Sequence, residues 1–315
     1  MITIEKYSDD MRNTWDSFLD AAKNPVFMFK RNYMEYHNDR FTDSSLLCYD
    51  DGDLIALFSA NIAGDELQSH GGLTYGGFIA NTKMTQHTMN ECFNALREYA
   101  GENGLKRVYY KAIPHIYHLQ PAEEDRYSLF VNDAQLVKVE SATVLNFRDP
   151  IKMTKGRKAQ ISRARREKVE VRECLDERDF YSFIDLENYV LSQHHGTKAV
   201  HTGAELYLLH SRFPQNIHLY GAMLNEKMIA GSVIFEYQNV IHTQYLAADE
   251  TARQVGALDL VISTLIDTYK DTKQWLDFGI STENAGRVLN EGLIFQKEGF
   301  GGRTNVYETW QMDVC

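Results

Sequence analysis

The chain is short of cysteine, of long apolar runs and of positive charge, and each shortage excludes something. Its four cysteines, Cys48, Cys92, Cys174 and Cys315, are widely scattered and form no C-x-x-C pair. That spacing argues against a zinc ribbon and suits free thiols in a reducing compartment. No apolar stretch approaches the ~20 residues of a membrane-spanning helix. The opening Met1-Ile-Thr-Ile-Glu-Lys-Tyr has no signal-peptide layout. The expectation is a cytoplasmic protein without a membrane span. Lys and Arg number 33 against 44 Asp and Glu, a net charge of −11. So acidic a chain repels phosphate outside any local basic patch, which excludes a general nucleic-acid binder but not a small basic groove.

What the chain does have is length and apolar content: 315 residues, 43% hydrophobic and 12% aromatic. That is enough for a large core, and the length favours two domains. Periodicity predicts a strand over residues 1–7, a helix over 9–22 and another over 32–41. Residues 46–49 and 54–60 form a hairpin around Asp51-Gly52, a strong turn signal. A third strand is expected over 67–75, a helix over 85–99, and strands over 108–112 and 136–147. The second half repeats the plan. Helices are expected over 176–191 and 203–213, and a hairpin over 217–224 and 228–237 with its turn at Asn225-Glu226. A strand over 240–248, a helix over 254–269, a strand over 275–278 and a final strand over 304–313 follow. The order in both halves is helices, hairpin, third strand, helix, strand. This predicts an α/β (α+β, mixed-sheet) protein of two tandem modules, 1–150 and 151–315.

Two stretches stand apart. Between the halves lies a basic run, Lys152, Lys155, Arg157, Lys158, Arg163, Arg165, Arg166 and Lys168, with Ile161 and Ala164 giving it an apolar edge. It reads as a docked helix whose charges are either a solvated face or a phosphate clamp. Near the end, Trp275 to Phe278 leads through Gly279 into a polar turn where Ser281 or Thr282 is placed to cap a helix over 283–293. Gly299-Phe300-Gly301-Gly302 then marks either a close approach of backbone to ligand or a turn before the last strand.

The order helix pair, hairpin, strand, helix, strand resembles the GNAT acyltransferase module. Two such modules in tandem, with a basic helix opening the second, resemble the Fem-type branch, the FemABX peptidyltransferase-like proteins. The residues that carry the likeness are Lys155-Gly-Arg-Lys-Ala-Gln-Ile-Ser-Arg-Ala, His194-His195-Gly with His201-Thr202 and Phe213-Pro214, and Gln244-Tyr-Leu-Ala-Ala. Gly256-Ala257, Leu276-Asp-Phe-Gly, and Gly292-Leu293 followed by Lys297 and Phe300-Gly301 complete it. The likeness covers most of 153–310. The chain departs from the pattern in two places. The phosphate loop Gln/Arg-x-x-Gly-x-Gly/Ala is here Arg253-Gln-Val-Gly256-Ala257-Leu258, without the last small residue, and Gln296 stands where Fem-type proteins commonly have Phe. There is no long heptad insert of the coiled-coil-arm type.

The resemblance implies Lys297 near the reacting carbonyl, where an ammonium would stabilise an oxyanion or hold a donor phosphate. By spacing alone it is a surface lysine. Asp277, near a strand end before a glycine, is a candidate to accept a proton from the acceptor amine or orient it, or a structural carboxylate. Tyr245 on the 240–248 strand is a candidate to hold substrate, or a core tyrosine. Arg253, Gln254, Gly256 and Ala257 are the candidates for the donor's phosphates at a helix N-terminus. Arg157, His195, His201 and His242 are candidate substrate contacts, and the histidine spacing matches no metal pattern. The expected function is N-acyl transfer from acyl-CoA (acetyl-CoA) or another thioester, with no metal, to a small-molecule amine such as an amino sugar or amino acid in envelope or polysaccharide assembly. An acyl carrier protein or an aminoacyl-tRNA is the alternative donor. A non-catalytic degenerate GNAT pair is the third possibility.

Overall fold

The computed structural model describes residues 1–194 and 197–314; the side chain of His194 is outside the description. The chain divides into two compact units. The first holds residues 1–141, 282–288 and 306–315, and the second 142–281 and 289–305.

In chain order the first repeat runs β1 (Ile2–Lys6), α1 (Arg12–Ala21), α2 (Arg31–Met34), β2 (Leu46–Asp50), β3 (Asp53–Phe58), β4 (Asn61–Ala63), β5 (Glu66–Gln68) and β6 (Phe78–Ala80). It continues with α3 (Gln86–Glu102), β7 (Arg107–Lys111), α4 (Glu124–Val131) and β8 (Gln135–Asn146). The second repeat runs α5 (Lys155–Arg166), β9 (Glu170–Cys174), α6 (Glu177–His194), α7 (Gly203–Arg212), β10 (Ile217–Leu224), β11 (Lys227–Glu236) and β12 (Val240–Ala248). It closes with α8 (Glu250–Val255), α9 (Ala257–Tyr269), β13 (Trp275–Ile280), the short β14 (Thr282–Glu283) and β15 (Val288–Leu289), α10 (Glu291–Glu298) and β16 (Arg303–Asp313). The two repeats thus share one order of elements, and the mixed-sheet tandem architecture expected from the sequence is the one found.

In the first unit β1, β2, β3 and β6 pair antiparallel. β5 pairs with β7 in parallel, and residues 309–313 of β16 pair antiparallel with β7. Phe58, Phe78, Phe93, Leu96 and Tyr110 make the core under α3. The Asp51-Gly52 turn forms as expected, with φ of 46° and 90°. The expected third strand over 67–75 does not form. Pairing stops at Gln68 and resumes at Phe78, because His70 (φ 51°) and Gly77 (φ 83°) leave the extended region.

In the second unit β9, β10, β11 and β12 are antiparallel neighbours. β13 lies parallel to β12 and antiparallel to residues 142–146 of β8. The basic run is the helix α5, with Ile161 and Ala164 buried and the cap supplied by Thr154. Gly256 (φ 78°) moves the start of the expected 254–269 helix to Ala257, and a separate short helix, α8, precedes it. The helix expected over 283–293 is also corrected. Asn284, Ala285 and Gly286 all have positive φ, a run no right-handed helix accepts. The helix starts instead after Asn290, whose Oδ1 accepts from Leu293 N at 3.0 Å. α4, β9 and the short strands β4, β6, β14 and β15 carried too little periodicity to be expected.

Strand alternation fixes which side chains share a face. Ala230 and Ile234 of β11 and Ile241, Leu246 and Ala248 of β12 pack with Val261 and Leu265 of α9. His242 and Tyr245 of β12 and Gly231 and Val233 of β11 therefore face the other way. A Cβ on Gly231 would meet the Phe183 ring at 3.0 Å, so α6 covers that second face. Val233 opposes Tyr245 but Ile234 opposes Thr243, so Gln244 is an extra residue, a β-bulge. The bulge is what lets His242 and Tyr245, three residues apart, point to one side.

The glycine cluster is a packing feature. Gly301 has φ of 101°, and a Cβ there would lie 2.2 Å from the Ile151 carbonyl oxygen. Gly301→Ala should cost about 2 kcal/mol or more, combining backbone strain with the clash. Gly52→Ala, with φ of 90° and nothing within 4 Å, should cost only the strain. Urea unfolding of the two variants beside the parent checks the difference.

Candidate functional site

β12 and β13 pair only from Val240–Trp275 to His242–Asp277. Beyond that register β12 runs on to Ala248 and β13 to Ile280 without pairing to each other, so a wedge opens between parallel strands. A cavity of about 440 Å³ lies there. Leu246, Ala248 and Phe278 form its strand walls, and Leu258, Asp259 and Ile262 bring in the start of α9. Arg157 of α5, Val190 of α6, and Leu293, Gln296 and Lys297 of α10 complete it. Among the ionisable lining residues three are cations, Arg157, Arg253 and Lys297, and one is a carboxylate, Asp259. In a chain of net charge −11 this is a local reversal of sign that suits an anionic ligand.

Lys297 is 4% exposed. It reaches this position because α10 turns its last helical turn inward behind β13. Its Nζ donates to the carbonyls of Gly279 at 2.9 Å and Ile280 at 2.7 Å. Burial pulls its pKa from the ordinary lysine value to about 8, against the opposing pull of Asp277. An ammonium has three N–H donors, and the two carbonyls take two of them.

Asp277 is fully buried and does not line the cavity. Its Oδ1 accepts from Gly279 N at 2.8 Å and its Oδ2 lies 3.2 Å from His242 Nδ1. It fixes the turn whose carbonyls hold Lys297. Tyr245 Oη lies 2.5 Å from His201 Nδ1, the two rings meeting edge to face. The structure therefore gathers four of the expected residues into two bonded pairs, His242–Asp277 and His201–Tyr245. Arg157 lines the cavity and pairs with Asp259 at 2.9 Å. Burial raises the Asp259 carboxyl and Arg157 opposes that rise.

Arg253 lines the cavity, whereas Gln254, Gly256 and Ala257 do not. Gly256 is used in packing: a Cβ there would lie 2.6 Å from the Gln160 carbonyl oxygen of α5. Ala257 is buried. His195 lies outside the described residues. Sequence reasoning missed Asp259, Gln160, Phe278 and Phe295 as lining residues. Asp259 falls in the first turn of α9 because that helix starts at Ala257, and only the fold shows which residues it faces. Among the described residues no group of three or more His, Cys, Asp or Glu is placed to hold a metal, and no helix is long and apolar enough to cross a membrane.

Residues 153–285 match the family described as acetyltransferase (GNAT) domain. No curated protein sequence matches the chain. Among solved structures the fold is similar to that of FemX, with a TM-score of 0.69 at 8% identity over 96% of each chain. It is similar to L-PGS from Bacillus licheniformis, with a TM-score of 0.65 at 13% identity over 98% of this chain and 92% of that one. It is also similar to a tandem GNAT protein from the clavulanic acid biosynthesis pathway, with a TM-score of 0.57 at 8% identity over 100% and 99%. Residues 153–285 match a GNAT acetyltransferase domain, and the fold of the chain is similar to that of these tandem, Fem-like structures.

A buried lysine with a lowered pKa has a signature in stability. Between about pH 8 and the ordinary lysine value the unfolded chain holds a proton that the native chain has lost. Stability conferred by this site therefore rises with pH in that window, by up to about 1.4 kcal/mol per pH unit. Lys297→Met should reduce the slope of stability against pH in that window while leaving the protein folded, which urea melts of both proteins from about pH 7 to 10.5 will show.

Proposed function

We propose that the second unit transfers an acyl group from an activated carbonyl donor to an amine, as an N-acyltransferase. The observation that carries the reading is Lys297: a buried ammonium at a cavity between splayed strands, anchored by two carbonyls. In such a transfer the amine attacks the donor carbonyl and negative charge grows on its oxygen. The third N–H of Lys297 is suited to that oxygen, in a site where burial strengthens the interaction. Asp277 contributes by holding Gly279, and so the carbonyl that aims Nζ. The resemblance to Fem-type and other GNAT proteins suggests an amino sugar or amino acid as acceptor, and a thioester such as acyl-CoA as donor.

A specific observation favours a second donor. A coenzyme A diphosphate needs open backbone N–H groups and small residues at the start of the helix after β12. At that place Leu258 replaces the small residue, Asp259 sets a carboxylate in the first turn of α9, and that carboxylate occupies Arg157. These residues do not fit a diphosphate cradle. An aminoacyl ester at the end of a tRNA needs no such cradle, and the exposed cations of α5 suit its single phosphates.

The experiment is transfer followed by mass spectrometry, with acetyl-CoA, longer acyl-CoAs and aminoacylated tRNA as donors and small amines as acceptors. Thermal-shift titration with each donor at low and moderate salt accompanies it. Lys297→Ala should lower kcat/KM by about 10²–10³-fold, mostly through kcat. Unchanged turnover in Lys297→Ala would remove the proposed role. A melting shift with acyl-CoA establishes the thioester donor. A salt-sensitive shift with tRNA alone establishes the ester. Binding without transfer returns the chain to the non-catalytic class.

A further inference from the structure

In the reading above Lys297 stabilises the oxyanion, but among the described residues that line the cavity none is placed as a base for the incoming amine. At neutral pH an aliphatic amine is an ammonium ion and cannot attack a carbonyl until it loses a proton. The one carboxylate in the lining, Asp259, is already paired with Arg157. Asp277 is occupied by His242 and the Gly279 amide.

A second carboxylate lies on the other side of the bulged strand. Glu187 sits on α6, 8% exposed. Its Oε2 is buried and has no hydrogen-bond partner among the described residues. Helical spacing sets its direction. Phe183, one turn earlier, lies against Gly231 on β11. Val190, nearly one turn later, lines the cavity. Glu187 falls between them, on the sheet-facing side of α6 and next to the cavity wall. That is also the face to which the Gln244 bulge turns His242 and Tyr245. A buried carboxyl oxygen without a hydrogen bond is costly to a fold. Burial alone raises its pKa, to about 7, and no charged neighbour contributes.

Resting on the acyl-transfer reading above, we propose that Glu187 is the general base that takes a proton from the acceptor ammonium. The acceptor then enters from the α6 face of the sheet, opposite α9. The step balances. Glu187 carboxylate accepts one proton from the ammonium. The freed amine forms a C–N bond to the donor carbonyl, whose oxygen is held by Lys297. The C–S or C–O bond to the carrier then breaks, and the carrier leaves with the second amine proton as a thiol or hydroxyl.

The titratable groups brought to this face by the packed elements are few. β12 supplies His242, bonded to Asp277, and Tyr245, bonded to His201. α7 supplies Glu205, held in its capping box with Thr202, and His210, bonded to the Ile217 carbonyl. β11 turns Gly231 and Val233 to this face, neither of them titratable. α6 itself carries Asp185 and Tyr189, which line a separate cavity.

The test is the pH profile of kcat/KM for transfer from whichever donor the wild type uses. Glucosamine and glycine serve as ammonium acceptors, and hydroxylamine serves as an acceptor already neutral at pH 7. The wild type should lose rate on the acid side of about pH 7 with the ammonium acceptors. Glu187→Gln should lose that limb and fall about 100-fold or more with them, while retaining most of its rate with hydroxylamine. Glu187→Asp should keep the limb at reduced rate, and melting curves of both variants establish that they fold. An unchanged profile in Glu187→Gln, or equal losses with hydroxylamine and the ammonium acceptors, overturns the role of Glu187 alone. So does wild-type transfer to hydroxylamine but to neither ammonium acceptor. Transfer by the wild type to none of the three overturns the acyl-transfer reading, and the base with it.

Discussion

The second unit depends on where two parallel strands stop pairing. β12 and β13 share three register positions and then part. Each structural device nearby serves that separation. The bulge at Gln244 twists β12 away and exposes groups on both of its faces. The left-handed Gly279 turns the end of β13, with its amide held by Asp277. The carbonyls freed at that end, which a paired strand would have used in a ladder, are taken by Lys297. A parted pair of strands leaves backbone groups without partners, and here a lysine answers part of that need while being placed for chemistry.

Electrostatics then divide the site. On the α9 side, Arg157, Arg253 and Lys297 surround a cavity in an otherwise acidic chain, which suits an anionic donor. On the α6 side lie an unpaired carboxyl and two hydrogen-bonded pairs, which suits a cationic acceptor. Burial moves the two principal groups in opposite senses, lowering Lys297 and raising Glu187. Each is drawn toward neutrality by the same cause, desolvation. A working site would need Lys297 charged and Glu187 ionised, two conditions that overlap between about pH 7 and 8.

The start of α9 is where the chain departs furthest from a coenzyme A site. Asp259 carries its own negative charge into a helix N-terminus, where it is favourably placed and already matched by Arg157. A diphosphate would have to displace that arrangement. The donor question therefore turns on a few residues at one helix start, and the rest of the cavity is compatible with either carrier.

Much of this was determined by the sequence alone. The 2-residue and 3.6-residue periods mark most strands and helices. Asp51-Gly52 and Asn225-Glu226 mark their hairpins, and Ile161 with Ala164 shows that the basic run docks. Local propensity and amphipathic pattern suffice there because each element buries one face. Lys297 was singled out by likeness to a family, since nothing in its spacing separates a buried lysine from a surface one, whereas Asp277 stood out by its place near a strand end before a glycine. Only the tertiary structure decided the rest. It showed that Gly301 and Gly256 each lie against packed backbone, of Ile151 and Gln160. It moved the last helix to start at Asn290, because three successive positive-φ residues precede it. It also brought Val190, three residues after Glu187, and Lys297 into the lining of one cavity. The physical reason is the same in each case. Close approach, burial and the loss of water depend on what the folded chain places opposite a residue, and a residue's neighbours in sequence do not specify that.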